Sequence, residues 1–279
     1  MFRTDKPSQV IWCPVGCDKL ELLSASSPEV SALQYLDTYW VSFITAGEAQ
    51  AKYQRQRYEL HPGSLHIYQA GAALSLRPSK TASYYLLRVS PALLRHYLPT
   101  HDVGNAYEQF GPSPDVPKTS PLYPSALELF NKFSSGHSAF RNHLKHFVAQ
   151  LAGHFQKALL ASEAATEEPS LVRLIKTHLQ TNYARPVSYA ELSALTGRSK
   201  SHILRQFKEA TGLTPHLYRT SWRVSAAKAL LRRGLPLATT ATDLGFADQP
   251  HLTRTFKRYV GVTPGHYQQS VRYELSSAA

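Results

Sequence analysis

Apolar positions change rhythm along this chain, and each rhythm predicts a kind of element. From Tyr39 to Val89 they fall in short runs rich in β-branched and aromatic residues. Trp40-Val41-Ser42-Phe43-Ile44-Thr45 stops at Gly47-Glu48, and Ala49 to Tyr53 alternates before a turn at Arg55-Gln56. Arg57 to His61 leads into Pro62-Gly63, and Leu65-His66-Ile67-Tyr68 resumes before Gly71. Tyr84 to Val89 is the last clear strand, ended by Ser90-Pro91. Short strands separated by frequent turn signals predict a small antiparallel barrel or sandwich.

After Pro124 the period lengthens. Leu127, Phe130 and Phe133 share one helix face. Leu144, Phe147, Val148, Leu151, Phe155, Ala158 and Leu159 share another over residues 141–160, in the three- and four-residue steps of an amphipathic helix. That second face either packs on the strands or meets a second copy of the chain. Ala161 to Pro169, with Glu163, Glu167 and Glu168, loses the period and reads as a linker. The chain thus divides into 1–160, a linker 161–169 and an all-helical region 170–279, an α+β protein of two domains.

Within the helical region a block of residues occurs twice. His202, Arg205, Phe207, Lys208, Gly212, Thr214, Pro215 and Tyr218 return as His251, Arg254, Phe256, Lys257, Gly261, Thr263, Pro264 and Tyr267, each 49 positions later. A duplication in register means one structural device used twice.

The first copy can be built from its residues. Leu171, Leu174, Ile175, His178 and Leu179 predict a leading helix that Arg185-Pro186 ends. Ser188-Tyr189-Ala190-Glu191 has the form of a capping box for a short helix carrying Leu192 and Leu195. Thr196-Gly197 turns the chain, and Ser199 caps a second helix that stops at Gly212. In that helix Ile203, Phe207 and Ala210 point inward, and Ser201, Leu204, Arg205 and Lys208 point outward. Two short helices joined by a tight glycine turn predict a helix-turn-helix, whose second helix enters the DNA major groove. In the second copy Thr240-Ala241-Thr242-Asp243 suggests a weaker capping box, Leu244-Gly245-Phe246 the turn and Asp248 the next cap. Here Leu252 and Phe256 point inward. Between the copies Leu217 to Arg233 reads as one helix closed by Gly234. At 1.5 Å per residue it spans about 25 Å, a length that, with the bulk of each unit, could set two recognition helices into major-groove segments about 34 Å apart.

Charge sharpens this picture. Of a net +12, residues 169–279 carry 16 Lys and Arg against 5 Asp and Glu, while residues 1–168 carry 15 against 14. The basic excess lies with the duplication and points to a polyanion. No run approaches twenty apolar residues and no secretion signal opens the chain, so it is expected in the cytoplasm. Cys13 and Cys17, four apart, read as two reduced thiols, since no further Cys exists to complete a zinc tetrad.

These motifs resemble the AraC/XylS family of bacterial transcription regulators. The likeness runs over 170–272 and rests on Asp243-Leu244-Gly245-Phe246-Ala247-Asp248-Gln249, then His251 to Lys257, then Gly261-Val262-Thr263-Pro264-Gly265-His266-Tyr267. More weakly, residues 39–160 are similar to the sensing domain that members carry in front. The resemblance implies an N-terminal cupin-like β-barrel with dimerising helices and a C-terminal all-α tandem helix-turn-helix, with units at about 188–212 and 238–261. It implies a regulator, in the first instance an activator. Its partners would be promoter or operator DNA, RNA polymerase, a small-molecule effector and a second copy, with no membrane, cofactor or metal.

Carried over by position, Ser201, Leu204 and Arg205 would face bases in one groove segment, and Gln249, Thr253 and Arg254 in the next. Arg205 and Arg254 suit guanine, whose O6 and N7 match the forked guanidinium. Lys200, Lys208, Lys257 and Arg258 would hold phosphates, which position without specifying. In the barrel, Trp40 and Ser42 on one strand and Tyr84 and Arg88 on another would face the effector, with Trp12 as a lid. Aromatic walls and one arginine suit a sugar or an organic acid. A one-residue slip would turn every one of these side chains outward.

Two other classes stay open. An enzyme fused to a DNA anchor needs a metal or a nucleophile, yet His61 and His66 are split by a turn, Glu59 does not follow them, and no phosphate loop occurs. A regulator governed by a partner protein needs no effector at all.

Overall fold

Among the described residues, ten strands build the front of the molecule as two facing antiparallel sheets. In this computed structural model the described residues are 10–12, 20–26, 33–53, 56–98, 114–156 and 170–269. The strands are β1 (Val10–Trp12), β2 (Leu20–Ser26), β3 (Gln34–Tyr35), β4 (Tyr39–Ala46), β5 (Ala49–Tyr53), β6 (Gln56–Leu60), β7 (Leu65–Tyr68), β8 (Ala73–Pro78), β9 (Ser83–Val89) and β10 (Asp115–Val116). One sheet runs β1-β2-β9-β4-β7-β10 and the other β3-β8-β5-β6. The expected barrel is therefore an open pair of sheets. Strands β1 to β3 precede Tyr39, where the apolar alternation first becomes clear, and β8 fills a stretch that the pattern leaves unassigned.

The large sheet is covered on both faces, which is why β4 reads as an unbroken apolar run. Trp40 and Ile44 face the small sheet and join Tyr53, Tyr68, Leu74 and Leu86. Tyr39, Val41 and Phe43 face α2 (Leu122–Ser135) and α3 (Phe140–His154). The short α1 (Pro91–His96), capped by Ser90, lies on the same side. The small sheet has one face in water, so β5 alternates buried and exposed residues.

The face predicted on 141–160 has a definite destination. Leu144, Phe147, Val148, Leu151 and Phe155 are buried in one cluster with Val41, Phe43 and Leu87 of the chain's own sheet. Of the two destinations open to this face, the chain's own strands are the one it takes, and its apolar area is already removed from water. Arg141, Asn142, Lys145 and His146 are what α3 shows outward. Ala158 and Leu159, like the predicted linker 161–169, lie outside the described residues.

Six helices follow among the described residues: α4 (Ser170–Thr181), α5 (Tyr189–Thr196), α6 (Lys200–Thr211), α7 (Pro215–Arg232), α8 (Leu237–Asp243) and α9 (Gln249–Val260). The repeat in sequence is a repeat in hydrogen bonds. Ser199 and Asp248 accept from the amides of His202 and His251, and Thr214 and Thr263 from those of Leu217 and His266. Gly212 and Gly261 close α6 and α9 in left-handed conformation. Phe207 packs on Tyr218 and Phe256 on Tyr267, both with ring centres 5.4 Å apart.

Three local expectations change. Helix α8 starts at Leu237 behind Pro236, so Thr240 to Asp243 is helix interior, and the buried Thr240 caps nothing. Ser188 does cap α5, but the Glu191 carboxylate goes to Arg185 and His178 rather than back to the cap. Leu174, Leu195 and Ala210, expected inside, are exposed; each lies at the margin of an apolar stripe whose centre is enough to hold its helix.

Candidate nucleic-acid interface

Each second helix presents a face that the core does not use. On α6 the inward side is Ile203, Phe207 and Thr211; on α9 it is Leu252, Phe256, Tyr259 and Val260. Ser201, Arg205, Gln249 and Arg254 are exposed, and Leu204 and Thr253 are half-buried at the edge of the same faces. Lys200, Lys208, Lys257 and Arg258 are exposed around them. Lys200 also lies over the Tyr189 ring at 5.1 Å, which ties its position to α5.

The two units are joined rigidly by α7, whose 18 residues span about 27 Å. Two buried arginines on α7, which carry no obvious sequence signal, anchor the loop after α4. Arg219 donates to the Arg185 carbonyl at 3.0 Å, and Arg223 to those of Tyr183 and Ala184 at 2.5 and 3.2 Å. Burial pushes the Arg223 pKa down to about 10, with Arg219 adding to the shift. Their charge is spent on carbonyls inside the protein, so they are not part of the basic face. Gly245 of the second turn packs on the same loop.

Comparison with known proteins agrees with this geometry. Residues 20–166 match the family described as an AraC-like ligand binding domain, and residues 192–270 the one described as a helix-turn-helix domain. The chain belongs to the AraC family. It is 31% identical over 218 residues to the uncharacterized HTH-type transcriptional regulator YbfI of Bacillus subtilis, covering 76% of this chain and 78% of that one. It is 32% identical over 97 residues to the transcriptional activator RhaS of Klebsiella pneumoniae, covering 35% and 34%. Among solved structures, ToxT from Vibrio cholerae bound to (E)-4-(8-methylnaphthalen-1-yl)but-3-enoic acid shares the fold, with a TM-score of 0.58 and 15% identity over 91% of this chain and 99% of that one. The protein is thus an AraC-type transcription regulator with a DNA-binding helix-turn-helix domain and a ligand-binding domain, and membership in a family of regulators decides against the enzyme fusion.

In this AraC-family chain the strand register points Trp40, Ser42 and Arg88 to the side between the sheets, and Tyr84, partly buried, packs on that same cluster. Trp12 pairs through its backbone with Leu22; its side chain lies outside the described residues, as do Cys13 and Cys17. The space between the sheets is filled by Leu36, Tyr53, Tyr68 and Leu74. Arg88 lies 4.4 Å over the Trp40 ring and donates to Glu21 at 3.1 Å.

That glutamate carries no signal in the sequence. Glu21 is buried on β2 and also takes Lys228 and Arg232 of α7, the latter at 3.6 Å. Burial pushes its carboxyl up, but Lys228, Arg88 and Arg232 outweigh this and hold it well below the usual carboxylate range. Burial likewise lowers Lys228 to about 8, against the pull of Glu21. Beside this cluster a crevice of about 20 Å³ lies between Trp40, Arg88, Ser225 and Lys228, room for a single water. Three further bonds cross the same boundary, from Gln34 to the Tyr259 carbonyl, from the Tyr35 amide to the Ser221 hydroxyl and from Ser225 to Asp37.

His66 and Asp115 pair at 2.9 Å, joining β7 to β10. Among the described residues no three or more His, Cys, Asp or Glu side chains gather as a metal site, and no helix is long and apolar enough to cross a membrane.

Proposed function

We propose that α6 and α9 enter successive major-groove segments of promoter DNA in the cytoplasm, with Arg205 and Arg254 reading guanines. Ser201, Leu204, Gln249 and Thr253 complete base contact, Leu204 against a thymine methyl. Lys200, Lys208, Lys257 and Arg258 hold phosphates. The observation that carries this reading is the matched geometry of the two units: the same caps at both ends of α6 and α9, and an exposed arginine at the same position of each. Relatives named as activators support activation through RNA polymerase, acting as a homodimer that uses a surface other than the buried face of α3.

The effector of this reading is an organic acid. Three cations surround one carboxylate at the boundary between the ligand-binding domain and α7, and the similar ToxT carries a carboxylic acid ligand in the crystal. Because the crevice holds only about 20 Å³, an effector at Trp40, Ser42, Tyr84 and Arg88 must displace side chains as it enters.

The test compares two substitutions on one helix. Arg254→Ala should weaken a selected site by about 1–3 kcal/mol while sparing random DNA. Lys257→Ala should weaken both alike and lower the salt slope by about one. Identical behaviour of the two variants would refute the division into base and phosphate contacts.

A further inference from the structure

The small sheet of the ligand-binding domain stands against the end of the first recognition helix. Gly212, which closes α6, is so near β8 that a methyl placed on it would lie 2.9 Å from the Ala73 side chain. Between the two elements runs a cleft of about 380 Å³ lined by Lys52 and Ala73 from the sheet and by Arg205, Lys208 and Glu209 from α6. Three cations face one carboxylate there.

The basic character continues across the water-facing side of the sheet. Lys52 on β5 is exposed, and its neighbour across the ladder is the exposed Arg57 of β6. Two residues back along β5, Gln50 stands between Glu59 and the exposed Arg77 of β8. Cross-ladder neighbours point to the same face, so Lys52, Arg57 and Arg77 share one surface. Glu59 is engaged with Gln50 at 3.0 Å. No ion pair joins Lys52, Arg57 or Arg77 to a carboxylate among the described residues.

We propose that this surface is a second portion of the DNA interface: the phosphodiester backbone bordering the groove occupied by α6 runs through the cleft, and Lys52 and Arg57 hold phosphates outside the first half-site. This rests on the reading of α6 as a groove-facing helix. A phosphodiester suits the place because the donors are flexible or forked cations in water, where a polyanion gains by releasing its counterions. Phosphate contacts position a protein on the duplex without reading its sequence, so the contribution is to affinity and orientation. It also gives the ligand-binding domain a direct hold on DNA, so that a movement of the sheets relative to α6 alters binding without a change in either helix-turn-helix unit.

The test uses the full chain and a duplex selected by it from a random-sequence library, with long flanks. Lys52→Gln/Arg57→Gln should lower the slope of log affinity against log salt by about 1.8, which is about a tenfold smaller loss between 50 and 200 mM salt. Hydroxyl-radical protection should disappear only on the backbone outside the α6 half-site. Lys257→Gln serves as the reference. A normal slope and footprint for the double variant beside a reduced slope for Lys257→Gln would overturn the extension and leave the helix-turn-helix reading intact. Unchanged slopes for both would overturn the two together.

Discussion

The two turn glycines offer a test of how the helix-turn-helix units are locked to each other. Gly197 and Gly245 are both left-handed, with φ of 65° and 67°. A methyl on Gly197 would meet nothing within 4 Å, whereas one on Gly245 would lie 1.7 Å from the Ala184 carbonyl oxygen and 3.1 Å from Arg223 Nη2. Gly197→Ala should therefore cost only the left-handed penalty, about 1 kcal/mol. Gly245→Ala adds the displacement of that carbonyl. Arg223 then loses its bonds to Ala184 and Tyr183, and a bond from a charged donor is worth about 1.5–3 kcal/mol. The expected total is about 4 kcal/mol or more. Urea unfolding of the full chain measures both variants, and binding to a selected duplex at low temperature reports whether the units still act together. Equal losses for the two glycines would show that the second turn is not clamped to the loop after α4.

Other consequences follow from the buried charges. Glu21→Gln leaves Arg88, Lys228 and Arg232 without their shared carboxylate and should destabilise the chain by about 3–5 kcal/mol in urea unfolding; a loss typical of a surface change would mean that the cluster is open to water. If the effector is an organic acid, millimolar aliphatic or aryl carboxylates should raise the melting temperature of the full chain and neutral sugars should not. His66 and His154 are lowered by burial to about 4, against the pull of Asp115 in the case of His66. Their unfolded forms take protons near pH 6.5, so between 6.5 and 4 the unfolded chain binds more protons and stability is lost as the pH is lowered through that window. A urea midpoint that stays level across that window would contradict their burial.

Neighbouring cations in this molecule do separate work. Arg205 and Arg254 stand on free helix faces, Arg219 and Arg223 hold backbone carbonyls, and Lys228 and Arg232 hold Glu21. Equal charge thus serves loop anchoring and the union of the two domains and, on the proposed reading of Arg205 and Arg254, recognition, according to what each residue meets.

Sequence alone determined what depends on neighbours a few residues away. The 49-residue repeat, the caps at Ser199 and Asp248 and the left-handed stops at Gly212 and Gly261 are local hydrogen-bond patterns, so they are readable in order along the chain. Which side chains of β4 and β9 lie between the sheets is not local in this sense, because both strands are buried on successive residues and show no alternation. Tertiary structure decided everything that pairs distant segments. Periodicity shows that Leu144, Phe147 and Leu151 are buried, but whether under this chain's own sheet or a second copy depends on where β4 and β9 run. Glu21 meets Lys228 across 207 positions, and Lys52 meets the end of α6 only because the sheets dock beside it. Glu21 stands between Leu20 and Leu22, and nothing in that local pattern says that folding will enclose it among three cations; the path of the backbone through space supplies that.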